Sequence, residues 1–221
     1  MMLMKKWNRA LVFFLAFAIA GYAAVQYGLF KASDAGLVAA KLQEPDFQLK
    51  PWVYVLYVHI VTAILALVIG PFQIFQKKSK PRGTLHKQLG YVYVLSIAVS
   101  GIVGIYLSFY ATGGIISGLG FFTLDILWLA TTWMGLRKIM AGDIKSHKEW
   151  MLRSYALTFA GVTLRIWLAP LVMLFGEFEA GYHAVAWLCW VPNLIIMEAI
   201  IRRKIPKAPH PLHDSQSKPN L

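Results

Sequence analysis

The residues able to do chemistry in this chain are few, and most of them stand in apolar surroundings. His59, Asp125, Arg165 and Glu198 lie inside long hydrophobic runs, His86, His147 and His183 lie at the edges of such runs, and His210 and His213 lie in a polar tail. An ionisable side chain at the centre of a bilayer costs about 2.5–3.5 kcal/mol on insertion scales, so each one needs a local reason to be there. One chemistry that would use them is haem b ligation, which takes neutral imidazoles from two helices in an apolar, aromatic-rich pocket. Two pairs are available at two depths, His59 with His183 and His86 with His147, and the second pair would hold the haem iron. Arg153, Lys87 and Arg165 could meet the propionates. Two stacked haems would carry electrons across a membrane, with a quinone or another redox partner, which makes a membrane oxidoreductase the leading expectation. The competing reading of the edge histidines is anchoring among lipid headgroups, a role that His, Lys, Arg and Trp all suit.

Depth groups three of these residues. At 1.5 Å per residue, His59, Asp125 and Arg165 each lie about 10 Å in from the same end of their own apolar run. Arginine cannot lose its proton and needs a partner or water, and Asp125 is the partner the sequence offers. The cluster reads either as a structural ion pair with a hydrogen-bonding histidine, or as the lining of an outward cavity that binds or transports a small molecule or ion. A third possibility is a membrane subunit or assembly factor with no chemistry of its own.

The elements that must position these groups follow from composition. Of 221 residues, 58% are hydrophobic and 14% charged, against about 25% charged in an ordinary soluble domain. The mean hydropathy is +0.56. A soluble fold of this size could not cover that much apolar surface. Runs long enough to cross a bilayer, roughly 20 residues each, fall at about 10–30, 52–75, 91–110, 118–136, 153–175 and 183–201. The fold class expected is all-α, a polytopic bundle of six transmembrane helices forming one domain over 1–203.

The loops orient it. Lys5, Lys6 and Arg9 precede the first span; Lys77, Lys78, Lys80, Arg82 and Lys87 fill the second loop; Arg137, Lys138, Lys145 and Lys148 fill the fourth; Arg202, Arg203, Lys204 and Lys207 follow the last span. The alternate loops carry no charge, only acidic residues, or a balanced mixture. The positive-inside rule then places both termini in the cytoplasm. The net charge of +12 is thus explained by topology, with lipid as the partner and no nucleic acid.

Smaller features complete the reading. Ser96, Ser100, Gly104 and Ser108 recur every four residues, a small-residue stripe that lets helices approach closely. His59, Ala63, Ala66, Gly70 and Gln73 form a second seam, and His147, Met151, Ser154, Thr158, Gly161 and Arg165 a third. Pro192-Asn193 interrupts the last span and frees a carbonyl that Asn193 can satisfy. Ser33 or Asp34 can cap a short helix over 35–42, and residues 204–221 read as a disordered cytoplasmic tail. Ala18-Ile19-Ala20 would suit signal cleavage, but the apolar run continues to Phe30, which favours a retained anchor. The lone Cys189 excludes a disulfide framework, and no His-Glu-x-x-His or cysteine cluster suggests zinc.

Four ordered segments carry a family resemblance: residues 85–93 (LHKQLGYVY), 147–158 (HKEWMLRSYALT), 162–165 (VTLR) and 190–194 (WVPNL). Together they resemble the bacterial membrane proteins grouped as domain of unknown function family 2306. The resemblance implies a multi-pass protein of the bacterial cytoplasmic (inner) membrane. The layout is more loosely similar to six-helix di-haem b-type cytochromes, whose ligands sit within four central helices, whereas His183 here opens the last span.

Overall fold

A computed structural model of the chain describes residues 6–30, 33, 36–42, 47–76 and 83–203. The described residues form helices α1 (Lys6–Gly28), α2 (Gly36–Lys41), α3 (Leu49–Ile74), α4 (Thr84–Ser108), α5 (Gly114–Met140), α6 (Ile144–Thr158), α7 (Ala160–Phe175), α8 (Phe178–Leu188) and α9 (Val191–Arg202). Six rods are long and apolar enough to span a membrane: α1, α3, α4, α5, α6 with α7, and α8 with α9. The caps expected of Ser33 or Asp34, most of the basic second loop and the tail from residue 204 lie outside what is described, apart from Ser33 itself.

The rods run longer than the apolar runs alone suggest. α4 begins seven residues before Tyr91, and α6 begins nine residues before Arg153. The polar first turns of α6 are continuous with its apolar part and start from a capped end. Asp143 supplies the cap for α6, its carboxylate accepting from Ser146 N at 3.0 Å. His86, His147 and His183 therefore sit within the first or second turn of a helix.

Packing follows chain order. α3 lies against α4, and α4 against α5. α5 then meets two different rods, α6 at one end and α8 at the other. α6 also touches α3 and α9, while α7 packs on α8 and α1. The bundle has a basic end, where α4 and α6 start and α5 and α9 finish, and an opposite end carrying α2. Close approach is made by small residues. A Cβ on Gly70 would stand 2.2 Å from the Tyr155 ring, and one on Gly101 would stand 2.7 Å from Leu129. All four members of the small-residue stripe are buried. Conversely, Leu95, Ile102, Phe109, Trp133, Met173 and Ile195 point outward, the exposure expected where lipid is the solvent.

Two rods are broken near mid-length. α6 passes to α7 through Phe159, whose backbone stays near-helical (φ −69°, ψ −9°), and α8 passes to α9 through Cys189 and Trp190, the latter at φ −127°, ψ −33°. The second break follows from Pro192, which has no N–H to give Leu188. The first has no proline or glycine at the joint. It is explained by its neighbour: the two N–H groups of Asn193 Nδ2 are shared among Ala156 O at 3.3 Å, Cys189 O at 2.9 Å and Thr163 Oγ1 at 3.0 Å. Thr163 Oγ1 in turn donates to Cys189 O. Asn193 thus serves one carbonyl at each joint, and Thr163 shares the one at Cys189.

Candidate functional site

The polar centre of the bundle is built on α4, α5 and α6. Tyr93 Oη hydrogen-bonds Ser154 Oγ (3.0 Å) and Thr158 Oγ1 (3.1 Å). Trp128 Nε1 donates to Thr158 Oγ1 at 2.9 Å, and Thr132 Oγ1 pairs with Ser154 Oγ at 2.8 Å. All five side chains are buried. Ser154 and Thr158 belong to the seam visible in the sequence, but Tyr93, Trp128 and Thr132 gave no sign of being their partners.

This network fixes the register of the candidate histidines at the basic end. His86 stands seven residues before Tyr93 on α4, and His147 seven residues before Ser154 on α6. Seven residues are almost two full turns and about 10 Å of rise. α4 and α6 run in the same direction, so both histidines return to the faces that touch through Tyr93 and Ser154, two turns nearer the basic end. His147 is anchored there, its Nδ1 pairing with Gly135 O of α5 at 2.8 Å. Gln73 Nε2 donates to His86 O at 3.2 Å, tying α3 to the same level.

Arg153 lies one and a half turns further along α6. Its guanidinium holds Glu198 of α9, Nη2 to Oε2 at 2.7 Å, and stacks on the Trp150 ring at 4.8 Å. Arg202 takes the other oxygen, Nε to Oε1 at 2.8 Å. Two cations around one carboxylate leave one positive charge at this end. Glu198 therefore has a local reason to be in the last span that depth alone did not supply.

In the opposite half, the cluster expected of His59, Asp125 and Arg165 divides. His59 Nδ1 meets Ser100 O at 3.0 Å and Ser100 Oγ at 3.1 Å, while Ser100 Oγ also reaches His59 O. One turn on, Asp125 presses its carboxyl on Gly104, the oxygens 2.6 and 2.7 Å from where a Cβ would stand. These two residues do share a level, and both use the α4 stripe. Arg165 turns away from Asp125. Nη1 donates to Gly161 O at 2.6 Å, and the guanidinium lies 5.6 Å from the Tyr22 ring of α1. No ion pair joins Arg165 to Asp125 among the described residues. Depth was readable from spacing, but the azimuth of α7, which faces α1 and α8, was not.

His183 is placed elsewhere again. Its Nε2 pairs with Gly113 O at 2.6 Å, with Glu179 Oε1 at 3.8 Å. Gly113 caps α5 at φ +84°, and a side chain there would collide with this imidazole. His59 is level with Ser100, whereas Gly113 lies beyond the end of α4 at Ser108. The eight residues between Ser100 and Ser108 already amount to about 12 Å. The structure does not bring His59 and His183 together as an axial pair.

No curated protein and no solved structure matches the chain. Residues 56–201 match the profile of a family described as predicted membrane protein (DUF2306). The match begins inside α3 and ends inside α9, taking in every residue of the polar centre and of both helix joints. The chain belongs to that family.

Proposed function

We propose that the chain is a b-type haem protein of the bacterial cytoplasmic membrane, passing electrons to or from a quinone or another redox partner, with His86 and His147 as the axial pair. The observation that supports this reading is one of register: each histidine stands seven residues before a member of the Tyr93–Ser154 hydrogen bond. Three features support the fit. The two histidines come from separate helices. The Nδ1 contact of His147 with a backbone carbonyl is the orienting contact that ligating imidazoles commonly have. The Arg153–Glu198–Arg202 group keeps a net positive charge for propionates. His86 and His147 would be the residues holding the haem, which would supply one-electron chemistry there. Arg153 keeps its place beside the propionates, whereas His59, separated from His183, has no ligand role in this reading. Orientation follows the basic loops, with the His86–His147 end in the cytoplasm.

The test is the absorbance spectrum of detergent-purified protein from haem-replete cells. A Soret band that sharpens on reduction and is lost in both His86→Ala and His147→Ala is the expected result. A protein that is folded and colourless under those conditions removes the proposal.

A second reading has its own observation. Arg165 of α7 stands over the Tyr22 ring of α1, with no carboxylate paired to it among the described residues. This grouping favours an anionic small molecule. Arg165→Gln that folds normally but loses ligand-induced thermal stabilisation would support it.

A further inference from the structure

The cleft between α1 and α3 at the basic end is used by none of these readings. Arg9 and Phe13 of α1 line one wall and Pro71, Phe72, Phe75 and Gln76 the other, around a volume of about 480 Å³. α1 starts at this end and α3 finishes there. Arg9 and Gln76 therefore stand nearest the water, and Phe13, one turn or about 6 Å beyond Arg9, stands deeper with Phe72. The rings brace one another: Phe13 meets Phe72 edge-on at 5.0 Å between centroids and Phe75 at 6.0 Å. Phe72 nevertheless stays 50% exposed, so the cleft is open to lipid. Pro71 has no N–H for Leu67 O, and Tyr155 Oη of α6 donates to that carbonyl at 3.3 Å, holding the α3 wall in place.

The charge at the mouth is uncompensated. Among the described residues no carboxylate pairs with Arg9. The chain beside the cleft supplies none either: Lys5 and Lys6 precede Arg9, and residues 77–82 (KKSKPR) follow Gln76. Topology accounts for basic loops, but it does not require a cleft of phenyl rings below one of the cations. A guanidinium at headgroup depth takes phosphate oxygens in pairs, and an apolar cleft starting one turn below it takes a hydrocarbon chain. One molecule with both ends is a phospholipid, and the surrounding cations favour one whose headgroup carries no ammonium of its own.

We propose that the α1–α3 cleft is a binding site for an anionic phospholipid of the leaflet at the basic end, with the phosphate at Arg9 and one acyl chain along Phe13, Phe72 and Phe75. This inference does not depend on haem: the cleft shares no residue with the His86–His147 pair.

Thermal unfolding of the full chain in a nonionic detergent tests it, with phosphatidylglycerol or phosphatidylcholine of the same chains added at equal mole fraction. Phosphatidylglycerol should raise the melting temperature and phosphatidylcholine should not. In Arg9→Gln the phosphatidylglycerol needed for half the effect should rise about fivefold. Arg137→Gln removes the same charge from an exposed site in the last turn of α5, outside the cleft, and should leave the titration unchanged. Equal stabilisation by the two lipids, an equal loss in both variants, or the full effect from inorganic phosphate alone overturns the proposal. A second measurement needs no variant, so the test stands even if Arg9→Gln does not fold. Phosphatidylglycerol carrying a photoreactive diazirine on its acyl chain should label the peptides that contain Phe13 and Phe72, whereas label spread evenly over outward residues such as Ile102 and Ile195 overturns the site. A colourless protein that keeps the lipid preference would end the haem reading and leave this one standing.

Discussion

Asn193 and Thr163 join the two broken rods, Nδ2 donating to Oγ1 at 3.0 Å across the α7–α9 boundary. Replacing Asn193 by Leu keeps volume but orphans the Ala156 carbonyl and leaves the Cys189 carbonyl to Thr163 alone. A buried acceptor left unsatisfied costs about 1–3 kcal/mol. Thermal stability in detergent should fall by an amount in that range, and Asn193→Leu combined with Thr163→Val should cost more than the sum of the two single changes, because only the double variant leaves the Cys189 carbonyl without a side-chain donor.

Tyr93 is the hub that sets the α4–α6 register. Tyr93→Phe removes two hydrogen bonds and leaves the ring. Polar contacts between membrane helices average about 0.6 kcal/mol each, so a loss of about 1 kcal/mol is expected in detergent unfolding. If His86 and His147 hold haem, the same variant should broaden or shift the Soret band without abolishing it.

Gly70 lies beneath the Tyr155 ring, whose hydroxyl donates to Leu67 O at 3.3 Å. Gly70→Ala should destabilise by about 1–3 kcal/mol through overpacking. Tyr155→Leu, destabilising alone, should cost less in the Gly70→Ala background. Simple additivity would show that the contact is not a tight one.

Asp143 gives a pH dependence of known sign. Hydrogen bonds from Ser146 hold its carboxyl below the usual carboxylate range, with a smaller help from Lys138. A depressed folded value means that the cap's contribution is complete above about pH 5 and is lost as the pH falls through that lowered value. The melting-temperature difference between wild type and Asp143→Ala should therefore be present at pH 7 and shrink in strong acid.

Topology is tested by labelling. With Cys189 replaced by Ala, single cysteines at Lys78 and at Gly114 should react with an impermeant thiol reagent from opposite faces of the membrane. Reaction from one face would overturn the six-span arrangement.

The sequence disclosed the rods and their order because apolar length and loop charge are one-dimensional quantities. It disclosed depth for the same reason: His59 and Asp125 do share a level. Azimuth was hidden. Nothing in the spacing of Arg165 says that it faces Tyr22 of α1 rather than Asp125, since that depends on which helices flank α7. The joint at Phe159 was hidden too, because the side chain that stabilises it, Asn193, belongs to another span. Pro192 made the partner joint visible, and its counterpart appears only once the two rods are side by side.

The paired joints divide the bundle into two storeys, α6 with α9 at one level and α7 with α8 at the other. A bilayer thinner or thicker than the resting one is ordinarily met by tilting whole helices. Here each storey holds α5 at its own end, α6 at one and α8 at the other, so a change of tilt at the Phe159 and Cys189 joints would reach α5 through its α8 contacts.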